Sequence, residues 1–258
     1  MQNELRYLNM VNKVLDYGNS VDGRNGIIKT LPFQILDIEL QDGYAPVITT
    51  RLINANSVAG EYAAMIRGVK HLNDFKKWGC GYWSKWADKD GNLTIDYGKD
   101  FAEQGEYIIK ALRSGEHNRR LIMNFWDSKR VLNNELSLPC CFYSMQFYKQ
   151  NDRLHLLWNQ RSADLLVGVP HDIVWAYIML HQFAAKANLK AGNIKMVFGD
   201  AHIYEEHFEN AKIQLSRQIL DEPKCTIDSS GALMNFLPSD FKLEGYEHQG
   251  KLDYEIKL

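Results

Sequence analysis

Four cysteines in 258 residues, at 80, 140, 141 and 225, are too few and too unevenly spaced for a disulfide framework. Cys140 and Cys141 are neighbours, a poor geometry for bridging to each other. No Cys-x-x-Cys pair occurs, which argues against structural zinc. No apolar run approaches the ~18 residues that a membrane-spanning helix requires. The opening residues, MQNELRYLNMVNKVLDYG, carry charges throughout, unlike a signal peptide. A soluble protein of a reducing, cytoplasmic compartment is therefore expected. Neither charge sign dominates, since 30 basic and 32 acidic side chains leave a net charge of −2. That balance excludes a blanket basic surface for DNA but leaves room for a local anion pocket. Neither G-x-G-x-x-G after a strand nor G-x-x-x-x-G-K-[ST] is present, so dinucleotide and P-loop chemistry have no support. Asp88-x-Asp90-Gly91 opens like a calcium loop but lacks its closing glutamate, and a plain turn is expected. The histidines are scattered, with His202 and His207 five apart, so no metal site is expected.

What is present is an ordinary globular composition. Charged residues at 24% and hydrophobic residues at 45% exclude a disordered chain. Six Trp and thirteen Tyr supply either an aromatic core or flat, stackable pocket walls. At 29.8 kDa a chain buries roughly 73% of its unfolded surface, enough to be stable without cross-links. One domain over 1–258 is expected, with no linker, repeat or low-complexity tract.

Leu5, Leu8, Val11 and Leu15 predict a first helix ending near Gly18. VDGRNG reads as a glycine-punctuated loop holding Arg24, and KTLPFQILDIELQDG as a strand. Helices are predicted over 56–70, capped by Asn56 or Ser57, and over EYIIKALRSGEHNRR, stopped near Gly115. RRLIMNFW and SMQFYKQNDRLHLLWNQRS are strongly β, the second a hairpin turning at Asn151-Asp152. DIVWAYIMLHQFAAKANL is apolar nearly all round and reads as a central buried helix. KMVFGDAHIY is a strand, HFENAKIQLSRQIL a helix, and the C-terminal stretch alternates like a strand. Strands and helices interleave without βαβ regularity, so the expected class is α+β, a mixed sheet around a buried helix.

Generic rules would leave Cys141 a buried structural thiol. The segment from 138 to 207 reverses that reading: LPCCFYSMQFY, then QRSADLLVGVPHDI, then GDAHIYEEH. Together with Arg24, Glu61, W-x-x-W-A-D at Trp83 and Trp86, Tyr97-Gly98-Lys99, Arg119-Arg120 and DFKLEGY, this order and spacing resembles the thymidylate synthase family over essentially the whole chain. The resemblance implies a sheet-to-sheet homodimer and one-carbon transfer from 5,10-methylenetetrahydrofolate to C5 of a pyrimidine nucleotide. C5 is a weak nucleophile, and a thiolate adding to C6 makes it enolate-like. Cys141 matches the position of that nucleophile, with Arg161 beside it lowering its pKa and gripping the phosphate. Arg24 and Ser162 complete the phosphate site, while Arg119 and Arg120 reach in from the second subunit. Gln160 and Asp164 join the nucleotide site, and His202 and Tyr204 meet the sugar 3′-hydroxyl. Trp83, Trp86, Leu138, Asp164 and Gly168 match the folate pocket, and Arg51 would meet the folate's glutamate tail. Glu61 would organise water and proton transfers, and Tyr97 would assist removal of the C5 proton.

The informative departure is GVPHDI, where the synthase carries Asn at the position of Asp172 and Phe at that of His171. A carboxyl group can accept from the 4-amino group of cytosine and from a protonated N3. A carboxylate facing uracil sets acceptor against acceptor, a mismatch that costs hydrogen-bonding sites ~10⁴-fold in selectivity. Aspartate here resembles the deoxycytidylate hydroxymethylase branch of phage enzymes, which modify cytosine for DNA, so dCMP is the expected substrate. The family's histidine after the nucleophile is Phe142, its second proline is Cys140, and its closing tail is LDYEIKL. An altered lid favours water over hydride and a hydroxymethyl product. Methylation of dCMP, thymidylate synthesis, a dUMP hydroxymethylase and an inactive nucleotide- or RNA-binding relative stay open as alternatives.

Overall fold

The computed structural model describes residues 2–115 and 118–257. Helix α1 (Gln2–Tyr17) buries one stripe, Tyr7, Leu8, Val11 and Val14, beneath the sheet's first long strand. The stretch expected as a loop around Arg24 is instead a hairpin of β1 (Asn19–Gly23) and β2 (Gly26–Ile38), with Arg24 at its tip. β1 is almost wholly exposed, so no buried alternation announced it. Phe33 sits at φ 51 and has no partner between the pairs Pro32↔Asp200 and Gln34↔Phe198, an outward kink beside a proline.

Helix α2 (Ala55–Met65) begins one residue earlier than the expected 56 and ends five before the expected 70; the Asn54 side chain, not Asn56 or Ser57, caps it by accepting from the Ser57 amide. Two short elements, α3 (Leu72–Lys76) and a 3₁₀ turn at Tyr82–Trp86, bring Trp83 and Trp86 back toward α2. Helix α4 (Phe101–Arg113), β3 (Ile122–Asn124) and α5 (Ser128–Leu132) lead to the hairpin of β4 (Phe142–Gln150) and β5 (Arg153–Asp164). That hairpin turns at Asn151, which takes the left-handed conformation asparagine tolerates (φ 55). Helix α6 (Gly168–Lys186) then crosses over to β6 (Lys190–Tyr204), followed by α7 (Phe208–Ser216) and a small ladder of β7 (Lys224–Ile227) with β8 (Phe241–Glu244).

The main sheet runs β1-β2-β6-β5-β4-β3, with β5 and β6 parallel and the other pairs antiparallel. It is a mixed sheet in an α+β fold. Among the described residues one βαβ crossover occurs, through α6, and it places the C-terminal ends of β5 and β6 side by side. Along β5 burial alternates, with Leu154, Leu156, Trp158 and Gln160 facing the helices. Helix α6 fills the centre of the core: Trp175 meets Trp158, Phe142 and Tyr62, while Phe183 stacks on Phe147. The C-terminal residues 251–257 form no strand, contrary to expectation. Their alternation is real, since 252, 254 and 256 are turned inward, but it presses one face of an extended chain onto other side chains and needs no ladder. No helix among the described residues is long and apolar enough to cross a membrane.

Candidate active site

The joined ends of a parallel strand pair, where a helix also begins, are where open sheets usually leave a crevice. Here the ends of β5 and β6, the start of α6, the 138–142 segment, the Tyr82–Trp86 turn and the C-terminal residues enclose a cavity of about 420 Å³. That volume suits a small-molecule ligand. All of the expected site residues line it except Arg119 and Arg120, which are exposed on the approach to β3.

The loop before β4 is held amide by amide. Ser137 N donates to Thr94 O at 2.8 Å, Cys140 N to Asp96 Oδ1 at 2.7 Å, and Cys141 N to Tyr97 Oη at 2.7 Å. From the other side Arg161 donates from Nε to Cys140 O (2.9 Å) and from Nη2 to Pro139 O (2.7 Å), its guanidinium 5.5 Å from the Trp126 ring. Cys141 is thus fixed in backbone while its side chain stays partly exposed to the cavity. One expectation needs correction. Arg161 and Tyr97 do pull the Cys141 thiol down, but burial outweighs them and the net direction is up. Burial also raises Tyr97 well above its ordinary value, with Cys141 adding to the rise.

Two carboxyl groups share the cavity. Glu61, 8% exposed, accepts from Trp83 Nε1 at 2.6 Å, and burial pushes its pKa up to about 7. Its helix lies close to its neighbours only because glycines permit it. A Cβ at Gly60 would come 2.1 Å from Trp78 O, and one at Gly98 2.2 Å from Met65 O. Asp172 stands in the first turns of α6 at the end of a relay. Trp158 Nε1 donates to Gln160 Oε1 (2.9 Å), and Gln160 Nε2 donates to Asp172 Oδ2 (2.9 Å) and Ser162 O (3.0 Å). Burial raises the Asp172 pKa to about 8; the Gln160 bond opposes this, while Glu61 and Asp164 add to it. Both acids are therefore able to carry a proton near neutral pH.

Beside these lie the polar groups of the strand ends. Asp200 Oδ1 holds His202 Nδ1 at 2.8 Å, so the other ring nitrogen is the one left for a ligand. Tyr204 packs edge-on to His202, and Arg24 reaches the rim with its Nε on Asn25 Oδ1 (3.1 Å). Asp164 uses Oδ1 to accept from the amides of Leu166 (3.0 Å) and Val167 (3.1 Å), which shapes the turn into α6. On the opposite wall Trp83 stacks on Phe75 (4.8 Å, 1°) and leans on Trp86, a flat apolar surface near Leu138 and Gly168. Arg51 is 7% exposed, donates from Nη2 to Leu166 O (2.5 Å) and lies 5.1 Å from the Tyr254 ring. Its Nε is buried without a partner, an orphaned cationic donor at the cavity wall.

Several site residues carried no sequence signal of their own. Asp96 is a buried acid whose neighbours 44 residues away cannot be read from its surroundings. Tyr82, Asn25 and residues 251–254, 256 and 257 also line the cavity. The 251–257 segment is anchored by Lys85 Nζ to Ile256 O (2.7 Å), Asn210 Nδ2 to Asp253 O (2.8 Å), Tyr254 Oη to Gln214 Oε1 (2.9 Å) and a Lys257–Glu206 ion pair. Phe142 is an aromatic wedge 4.8 Å from Tyr97 and 4.5 Å from Trp158. No cluster of three or more His, Cys, Asp or Glu suited to a metal occurs among the described residues.

A thiol, cationic side chains and proton-holding acids around one cavity are the equipment of a group-transfer enzyme with a covalent step. The thymidylate synthase family model matches residues 5–258, and the chain belongs to that family. Membership implies folate-dependent one-carbon transfer to C5 of a pyrimidine nucleotide, with methylenetetrahydrofolate as co-substrate.

Proposed function

We propose that the chain hydroxymethylates dCMP at C5, and that 1–258 acts as one domain in a homodimer. The observation carrying the choice of base is a carboxyl at 172, held by Gln160 inside the cavity that Cys141 lines. It can accept from the 4-amino group and exchange a proton with N3, stabilising the ring as the thiolate adds to C6. Cys141 is the nucleophile. Its net upward shift makes the Tyr97 hydrogen bond and Arg161, which both pull the thiol down, part of its activation rather than a standing thiolate, and Tyr97 also assists removal of the C5 proton. Arg24, Arg161 and Ser162 hold the phosphate, joined by Arg119 and Arg120 of a second copy. His202 and Tyr204 bind the sugar hydroxyl, and Gln160 and Asp164 order the base and its surroundings.

The residues fit a folate. Trp83, Trp86, Leu138 and Gly168 offer a flat wall, Asp164 an acceptor, and the orphaned Arg51 Nε a donor for an anionic tail. When bound, the folate supplies the one-carbon unit. Glu61, with a pKa of about 7, holds or releases a proton at working pH beside the reacting carbon.

A second reading, methyl transfer, has one observation in its favour: residues 251–254, 256 and 257 line the cavity, where a closing tail would restrict water. Mass spectrometry of the product from dCMP and dUMP with the folate separates the readings. A gain of about 30 mass units on dCMP is expected, about 14 marks methylation, and a product from dUMP alone defeats the choice of base. No product from either base defeats the enzyme reading in favour of an inactive binding relative, and Cys141→Ala must abolish any product found.

A further inference from the structure

To move protons Glu61 must pass between acid and carboxylate, yet it is 8% exposed and the hydrogen bond it accepts from Trp83 Nε1 (2.6 Å) ends on Oε1 alone. A charge formed there is withdrawn from water and calls for a further donor. The residue before Trp83 carries one. Tyr82 opens the same 3₁₀ turn, and its hydroxyl is sealed from solvent against the Glu61 carboxyl and the Cys80 thiol. It makes a well-formed hydrogen bond with neither among the described residues. Native structures seldom bury a hydroxyl without a use for it. Cys80 is a poor claimant, because it is fully buried and its thiol is pushed up to about 12, which keeps it neutral. A carboxylate draws a phenol proton far more strongly than a thiol or a carboxylic acid does. The phenol is also held in place. Its ring stacks on His171 in the first turn of α6 at 5.7 Å and 21°, and the chain leading to it lies against α2, where Gly60 leaves room for Trp78 O.

We propose that Tyr82 is a positioning residue for Glu61, its buried hydroxyl a donor held in reserve for the carboxylate. While Glu61 carries its proton the hydroxyl stands unpaired. When that proton leaves, the phenol turns its O–H onto the carboxylate and steadies the ionised form. The phenol keeps its own proton throughout, since burial raises it well above its ordinary value. Glu61 titrates at about 7, so both states occur at working pH. The ionisable groups facing the pair are Cys80 from the chain before the turn, and Asp172 and the neutral His171 from the start of α6.

The inference rests on the proton-handling role proposed for Glu61, but its first readout needs no substrate. In ¹³C-labelled full-length enzyme the Glu61 carboxyl, identified by its loss in Glu61→Gln, can be titrated by NMR. Tyr82→Phe keeps the ring and its stacking on His171 and removes only the hydroxyl. It should raise the Glu61 midpoint by about one pH unit, the size expected when a carboxylate loses one charge-assisted hydrogen bond. The Glu61 limb of the kcat/KM profile, which reports the free enzyme, should move by the same amount. A ring-fluorinated tyrosine in place of Tyr82, a more acidic phenol and a better donor, should move both the other way. A midpoint unchanged in Tyr82→Phe, or activity lost equally at every pH with no shift in either measure, would overturn the role and leave Tyr82 a packing residue. Full turnover by Glu61→Gln defeats the proton-handling reading instead.

Discussion

At Asp172 one proton decides which hydrogen-bond pattern the cavity presents. As a carboxylate the side chain only accepts; as an acid it offers one donor and one acceptor, the same pair as an amide. Cytosine is met by the acid, which donates to N3 and accepts from the amino group, or by the carboxylate once N3 carries that proton; either way the pair holds one proton between them. Uracil, with an O4 acceptor beside an N3–H donor, is met only by the acid. The pKa of about 8 therefore predicts that kcat/KM for dCMP falls by about tenfold per pH unit above it as the shared proton is lost. A wild-type profile that stays flat to about pH 10 would show that the proton at Asp172 is not used. The same proton bears on stability. The folded state raises this pKa from 3.8, so the stabilisation it brings is complete below the lower value and is lost as pH climbs toward 8. Asp172→Asn cannot ionise. Its melting temperature should match wild type near pH 4 and exceed it by a few degrees at about pH 9, a gain on the order of 1 kcal/mol for a half-buried group.

At the scale of elements, the 137–141 loop is held by a clamp of hydrogen bonds from several directions. Asp96 is 1% exposed and accepts from two amides, Cys140 N and Asp127 N. Asp96→Ala should cost about 2–4 kcal/mol by stranding both donors, measurable by urea unfolding, and should lower kcat more than it raises the KM for dCMP. A loss below about 0.5 kcal/mol would show that the loop is held elsewhere. Sequence patterning reached this clamp from one side only. Tyr97, Cys141 and Arg161 are chemically distinctive within their motifs, whereas Asp96 acts through a contact that local periodicity does not encode. The same limit explains the other differences. α6 was legible because it is apolar all round, and the β4–β5 hairpin because its alternation flanks an asparagine turn. β1 was not, since an exposed strand has no buried face to read. Residues 251–257 looked like a strand because alternation reports one face turned inward, not the ladder that makes a strand. The net rise in the Cys141 pKa was hidden for a related reason: the arginine is visible in sequence, but the burial that outweighs it is a property of the folded cavity.

At the scale of the whole molecule, the sheet has one face against the helices and another that is poorly covered. Phe33 is 80% exposed and Ile35 54%, while Tyr148 and Ile122 are also open on the strands nearby. Apolar residues gathered on an open sheet face suit a second copy better than water. Arg119 and Arg120 fit the same picture, since they are exposed and line no part of this chain's own cavity. If two copies join by a twofold axis, each contributes its arginines to the other's phosphate site, and neither site is complete alone. Complementation tests this directly. A Cys141→Ala chain and an Arg119→Ala/Arg120→Ala chain should each be nearly inactive. In a heterodimer of the two, the chain that keeps Cys141 receives intact arginines from its partner, which restores one site of two. Random mixing makes half the dimers heterodimers, so about a quarter of wild-type activity should appear after the two are unfolded and refolded together. Activity no higher than the sum of the separate variants would rule out sharing of the arginines. A monomeric mass by light scattering at working concentration would remove the sheet-to-sheet dimer itself. Ile35→Lys distinguishes the two ideas, because it should split the dimer and lower phosphate affinity while leaving the chain folded by circular dichroism.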